Sequence, residues 1–185
     1  MAIRKIARLG HPVLRKKCRE VTREEISSPE MRRLVKDMIE TMHEYNGVGL
    51  AAPQVHESVK LAIIEYDEEQ RAELGASQPL LVIWNARVKV LDEAPSGFWE
   101  GCLSVPGMRG YVERPSKIEV SYLDERGKPQ TLVASGFLAT VFQHDLYRLD
   151  GVLYVDKISD KDRFAFSEEY ARYHMEEGEE APPPE

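Results

Sequence analysis

The side chains most suited to chemistry lie together in Gln143-His144-Asp145-Leu146-Tyr147-Arg148-Leu149-Asp150-Gly151. This stretch is one step from His-Glu-x-x-His, a helical pattern in which two histidines four residues apart share a face and hold a metal ion, with the glutamate as base. Here Asp145, one methylene shorter, stands at the glutamate position, and Arg148 stands at the second histidine position. A guanidinium stays protonated and has no acceptor lone pair, so it cannot be a ligand. Asp145 and Arg148 are three apart on a helix and can pair with each other. On a solvated face such a pair is structural and worth about 0.2–0.5 kcal/mol. Inside a site, the guanidinium would take the place of a cation.

Two other stretches can converge on that helix. Gly47-Val48-Gly49-Leu50-Ala51-Ala52-Pro53-Gln54 is rich in small residues, which lets a ligand approach the backbone, and Gln54 brings both a donor and an acceptor. No Lys-Ser/Thr follows, so a phosphate loop is poorly supported; a structural turn is the simpler alternative. Glu100-Gly101-Cys102-Leu103-Ser104 carries one cysteine, a residue that is more often a small buried apolar group than a ligand.

These stretches need elements to position them. Ser27 or Ser28 as cap, Pro29 in the first turn, and Met31, Leu34, Val35, Met38, Ile39 and Met42 at helical spacing predict a helix ending at Asn46-Gly47. Residues 3–21 suit an extended arm across a core. Residues 61–66 read as a strand, 67–78 as a loop, and 80–84 and 87–91 as two strands. Residues 94–110, with glycines and two prolines, read as an irregular connection. Residues 117–123 and 130–134 flank the turn Asp124-Glu125-Arg126-Gly127 as a hairpin. A second helix runs from Ser135-Gly136 through Leu138, Val141, Phe142, Leu146 and Leu149 to Gly151, followed by a short strand at 152–155. From about Lys161 the chain is helix-compatible.

At 185 residues, 42% apolar and 31% charged, the chain suits one domain, α+β in class, over 1–165. Residues 166–185 read as a C-terminal helix end and an acidic, disordered tail. A formal charge of −7 argues against direct nucleic-acid binding. Cys18 and Cys102 make no disulfide framework. With neither an apolar leader nor a run long enough to span a membrane, a cytoplasmic protein without membrane contact is expected.

Taken together, GVGLAAPQ (47–54), EGCLS (100–104) and QHDLYRLDG (143–151) resemble the three motifs of the peptide deformylases, in the same order and spacing. The resemblance extends over residues 3–160. It implies the deformylase fold, antiparallel sheets around a central helix that carries the third motif, plus a C-terminal helix. It implies a hydrolase that removes formyl from N-terminal formyl-methionine of nascent chains, near the ribosome. A divalent metal, Fe(II) in the family with Ni or Zn also possible, would be held by Cys102 and His144, with Arg148 at the third ligand position. Asp145 would be the base; Gln54 and the Leu103 backbone N–H would stabilise the oxyanion. Gly49 would pair with the peptide, and Val48, Gly101, Phe137 and Val141 would line the methionine pocket. The reading favoured here is a protein that recognises formyl-methionyl or other acyl-peptide ends, with metal-dependent hydrolysis impaired or altered by Arg148 and Asp145. The alternatives are a working metal-dependent deformylase and a cysteine-dependent amidase or acyl transferase using Cys102 and His144.

Overall fold

A computed structural model describes residues 2–75 and 78–175. In chain order the elements are α1 (Arg23–Ile26), α2 (Pro29–Glu44), β1 (Gly49–Ala51), β2 (Leu61–Glu65), α3 (Glu68–Leu74), β3 (Leu80–Cys102), β4 (Val105–Leu123), β5 (Pro129–Ser135), α4 (Gly136–Tyr147), β6 (Phe164–Phe166) and α5 (Ser167–Tyr173). All strand pairs are antiparallel, in the order β1-β2-β3-β4-β5, with β6 added to β4. This is the expected α+β arrangement.

The strand at β2, Leu61-Ala62-Ile63-Ile64, is buried on both faces, which explains its unbroken apolar run. Leu61 and Ile63 pack with Leu34, Met38 and Met42 of α2. Ala62 and Ile64 pack with Leu138, Phe142 and Leu146 of α4. The sheet is thus sandwiched, and α4 is held in the interior between β2–β3 and β4–β5. Helix α2 begins where expected: the Ser28 hydroxyl accepts from Met31 N at 3.2 Å, with Pro29 in the first turn. Replacing Ser28 with Ala should cost about 1 kcal/mol, read as a fall in melting temperature of roughly 2–4 °C.

The region 94–110 is not an irregular connection. It continues β3 and opens β4, a long hairpin whose turn is Leu103-Ser104, with Cys102 facing Val105 across it. The glycines that suggested a loop are seats for large neighbours. A Cβ at Gly97 would lie 2.1 Å from Tyr111 Oη, at Gly101 2.3 Å from Arg109 Nη1, and at Gly110 2.5 Å from Ile158 Cδ1. The separate strands expected at 80–84 and 87–91 are one strand with register shifts between Trp84 and Arg87.

Residues 67–78 are likewise not all loop. Asp67 and Gln70 form a capping box that starts α3, and Gly75 ends it at φ 62°. No residue of α3 is buried, so it left no apolar periodicity to read. The expected strand at 152–155 is absent: Leu153 and Tyr154 are consecutive buried residues, and 154–157 is a 3₁₀ turn tied down by the Arg15–Asp156 ion pair. After Lys161 the chain first forms β6 against Met108–Gly110, then α5, which packs onto Trp99 through Tyr170 and His174 at 4.9 and 5.0 Å. The acidic stretch 176–185 lies outside the described residues. Among those described, no helix is long and apolar enough to cross a membrane.

The N-terminal arm is extended, with one turn at Pro12–Arg15. It binds all three motif-bearing stretches through its backbone: Ala7 N donates to Gln54 O, Leu9 N to Ser104 O and Cys18 N to Leu149 O, at 2.7, 2.7 and 2.8 Å.

Candidate active site

One cavity of about 750 Å³ collects the three stretches, a volume within the usual range for a ligand pocket. Its lining includes every position singled out from the sequence: Gln54, Leu103 and Asp145; Val48, Gly49, Gly101, Phe137 and Val141; and Cys102, His144 and Arg148. Each is delivered by a different constraint. The two-residue turn places Cys102 at the tip of the β3–β4 hairpin. The burial of Leu138, Phe142 and Leu146 on one side of α4 turns His144, Asp145 and Arg148 toward the cavity. Gly49 has no Cβ because Asp145 occupies its space; a Cβ there would be 2.1 Å from Asp145 Oδ2.

Arg148 lies on the cavity floor, 2% exposed. Its Nη1 donates to Asp145 Oδ1 at 2.5 Å and to Gln54 Oε1 at 2.7 Å. Burial works to lower its pKa, but the neighbouring Cys102 sulfur and the Asp145 carboxylate outweigh that and raise it. Gln54 Oε1 accepts in addition from Ala51 N at 2.9 Å, and Gln54 Nε2 donates to Cys102 Sγ at 3.9 Å and Ser104 Oγ at 3.3 Å. Ser104 N donates to the same sulfur at 3.3 Å.

Behind this layer lies a second network. Glu100, 6% exposed, accepts from Arg114 Nε at 2.6 Å and Nη2 at 2.9 Å, and meets His144 Nδ1 at 2.5 Å. With Nδ1 bonded to the carboxylate, the neutral ring carries its acceptor lone pair on Nε2. The sequence reading did not assign Arg114. A signal was available: Arg114 shares its strand face with buried Val112, and a charged residue at an inward position needs a partner.

The His144 imidazole is held below its ordinary pKa by burial and then by the Arg148 charge, against the pull of Glu100 and Asp145. Burial alone would raise Glu100, but hydrogen bonds from Arg114 and His144 hold it below the usual carboxylate range. The signs follow from proton uptake. In the unfolded chain a histidine protonates near pH 6.5, and in the fold only at lower pH, so stability falls as pH drops below about 6.5. Glu100 contributes fully above its unfolded value near 4.5, and its contribution is lost as pH falls through the lowered folded value. The urea midpoint should therefore decline from roughly pH 6.5 downward and steepen below about 4.5. A midpoint that rises between pH 7 and 5 would contradict a buried neutral imidazole.

The donor set does not suit a divalent cation. Cys102 and His144 offer two donors; the residue one helical turn after His144 is a cation, and Asp145 is committed to it. Among the described residues, no three His, Cys, Asp or Glu side chains are arranged to hold a metal ion. A catalytic metal of this type needs three protein ligands and an open position.

The sequence and the fold have counterparts. A sequence profile described as polypeptide deformylase matches residues 3–164. A peptide deformylase of Leptospira biflexa serovar Patoc is 41% identical over 170 residues, covering 91% of this chain and 95% of that protein. One from Picosynechococcus is 42% identical over 153 residues, covering 83% and 78%. Among solved structures, the Thermotoga maritima peptide deformylase superposes with a TM-score of 0.75 at 33% identity, covering 86% of this chain and all of that one. A Met-Ala-Ser-bound class I type b peptide deformylase from Acinetobacter baumannii gives 0.76 at 32% identity, covering 85% and 99%. The same enzyme with actinonin bound gives 0.75 at 34%, covering 86% and 100%.

Proposed function

Since the chain belongs to the polypeptide deformylase family, we propose that it recognises N-terminal formyl-methionyl or other acyl-peptide ends, with Arg148 in the place of the metal ion. The biological ligand is then the N-terminus of a nascent chain, and metal-dependent hydrolysis is impaired. The observation that carries this reading is the buried Arg148 guanidinium, bonded to Asp145 and Gln54 beside the Cys102 sulfur. It supplies a fixed positive charge where a metal ligand would have to be neutral or anionic. Its buried Nε has no hydrogen-bond partner among the described residues. Val48, Phe137 and Val141 line the cavity as apolar walls for a methionine side chain, and Gly49 and Leu103 also line it. The Met-Ala-Ser complex of the Acinetobacter relative supports a peptide end as occupant.

Elemental analysis and peptide binding on the same preparation test the reading. The expected result is less than about 0.1 equivalent of iron, nickel, cobalt or zinc per chain after anaerobic loading and desalting. The chain should nevertheless bind formyl-Met-Ala-Ser measurably by calorimetry without hydrolysing it. One tightly held metal per chain with turnover would overturn it in favour of a working metal hydrolase.

The Glu100–His144 hydrogen bond favours a second reading, thiol chemistry in which an oriented His144 serves Cys102. Labelling with iodoacetamide near neutral pH separates the two. Slow modification of Cys102 is expected, since the residue is only 9% exposed and its sulfur already accepts from Ser104 N. Rapid, site-selective labelling would favour the thiol route.

A further inference from the structure

The charges around the cavity do not balance, although the chain as a whole is acidic at −7. Four cationic side chains line it, Lys5, Arg8, Arg109 and Arg148, and three carboxylates, Glu44, Glu100 and Asp145. Arg148 is paired with Asp145, and Glu100 with Arg114. Three cations therefore remain against one carboxylate, Glu44. Among the described residues, Lys5, Arg8 and Arg109 form no salt bridge. By contrast Arg4 and Arg15 on the same arm each hold a carboxylate.

The fold holds these three groups in place. Ile6 and Ala7 are buried, and Ala7 N and Leu9 N are bonded to Gln54 O and Ser104 O, so Lys5 and Arg8 are carried on backbone fastened to the site. Arg109 lies across Gly101, where a Cβ would be 2.3 Å from its Nη1. The glycine of the second stretch is thus the seat of a guanidinium at the cavity. A ligand whose acyl end reaches the Arg148 floor must run its following residues out past these cations. Charges at such a mouth act over roughly 8–10 Å at ordinary ionic strength, enough to reach the residues just after the first.

We propose that Lys5, Arg8 and Arg109 make this cavity selective for acyl-peptide ends whose next residues are acidic, aspartate or glutamate. This rests on the reading of the cavity as a peptide-end site.

Three fluorescent peptides test it on the full chain by anisotropy: formyl-Met-Asp-Glu, formyl-Met-Ala-Ser and formyl-Met-Lys-Lys, each extended by the same neutral linker to the dye. The expected order of affinity is acidic, neutral, basic, with the acidic peptide about tenfold tighter than the basic one at 50 mM salt and less than about twofold at 0.5 M. In Lys5→Gln/Arg8→Gln/Arg109→Gln the acidic-to-basic ratio should fall to near one. Arg109→Lys with Lys5 and Arg8 intact should keep most of it. Equal affinity of the three peptides at low salt overturns the selection while leaving the peptide-end reading standing. A ratio that survives in the triple variant assigns the selectivity elsewhere and also overturns the proposal. If none of the three peptides binds, the peptide-end reading fails and the selection fails with it.

Discussion

The double variant Arg148→His/Asp145→Glu is expected to retain about one divalent metal ion per chain and to hydrolyse formyl-Met-Ala-Ser at least a hundredfold faster than the parent. The change restores two imidazoles four apart on one helical face, joined by the Cys102 thiolate, which is the three-ligand set with an open position that a catalytic metal needs. The existing chain already provides the support. His144 is anchored through Nδ1 by Glu100 at 2.5 Å, and that carboxylate is held by Arg114 at 2.6 and 2.9 Å. An imidazole fixed in this way presents its other nitrogen with the tautomer and orientation a metal requires. The longer carboxylate restores the reach of a general base, a contribution of roughly 10²–10⁴ in rate. Arg148→His alone should take up metal and remain slow. Metal analysis followed by a deformylation assay distinguishes the outcomes. Metal uptake without turnover in the double variant would place the defect in the pocket, and failure to take up metal would mean that more than Arg148 separates this site from a metal centre.

The second large effect is on stability. Arg148→Met should destabilise the fold by about 3–5 kcal/mol, because removing one member of a buried pair leaves the other as an uncompensated charge. Asp145 has 4% of its side chain exposed and Arg148 3%, so neither can be rescued by solvent. Arg148→Met/Asp145→Leu should lie close to the parent, since replacing both members of a buried pair with apolar groups of similar size is often neutral or stabilising. The coupling energy from the four urea midpoints, at constant m-value, is the measurement. A loss below about 1 kcal/mol in Arg148→Met would put the guanidinium in the class of surface pairs and remove the main support for its role as the resident cation.

Both experiments act on a feature that was half visible in the sequence. Two residues three apart on a helix of opposite charge can pair, and helix α4 was legible from Leu138, Phe142, Leu146 and Leu149. What could not be read was depth. The same Asp-x-x-Arg spacing on an exposed helix would be worth a few tenths of a kcal/mol. Here β3 and β4 cover that face of α4, so the pair becomes the floor of a cavity and recruits Gln54 from a stretch 94 residues earlier in the chain.

The legible features share a cause: they depend on neighbours along the chain. The apolar spacing of α2 and α4, the Ser28 cap, the Asp124–Gly127 turn with β5 behind it, and the three short motifs are all local patterns, and together they determined the family and fold class. The features left to the tertiary structure depend on contacts between distant segments. Gly97, Gly101 and Gly110 read as loop signals until Tyr111, Arg109 and Ile158 are seen in the space their missing side chains leave. Helix α3 is delimited by its caps, has no fully buried residue and meets the core only through half-buried Leu74. The ion-pair chain Arg114–Glu100–His144 joins residues 14 and 44 positions apart, a closure that no periodicity encodes. The helix carrying His144, Asp145 and Arg148 was identified from residue types. That its cation is buried, partnered and shares a cavity with three cations that form no salt bridge among the described residues was decided only by the way the arm, the hairpin and α4 pack together.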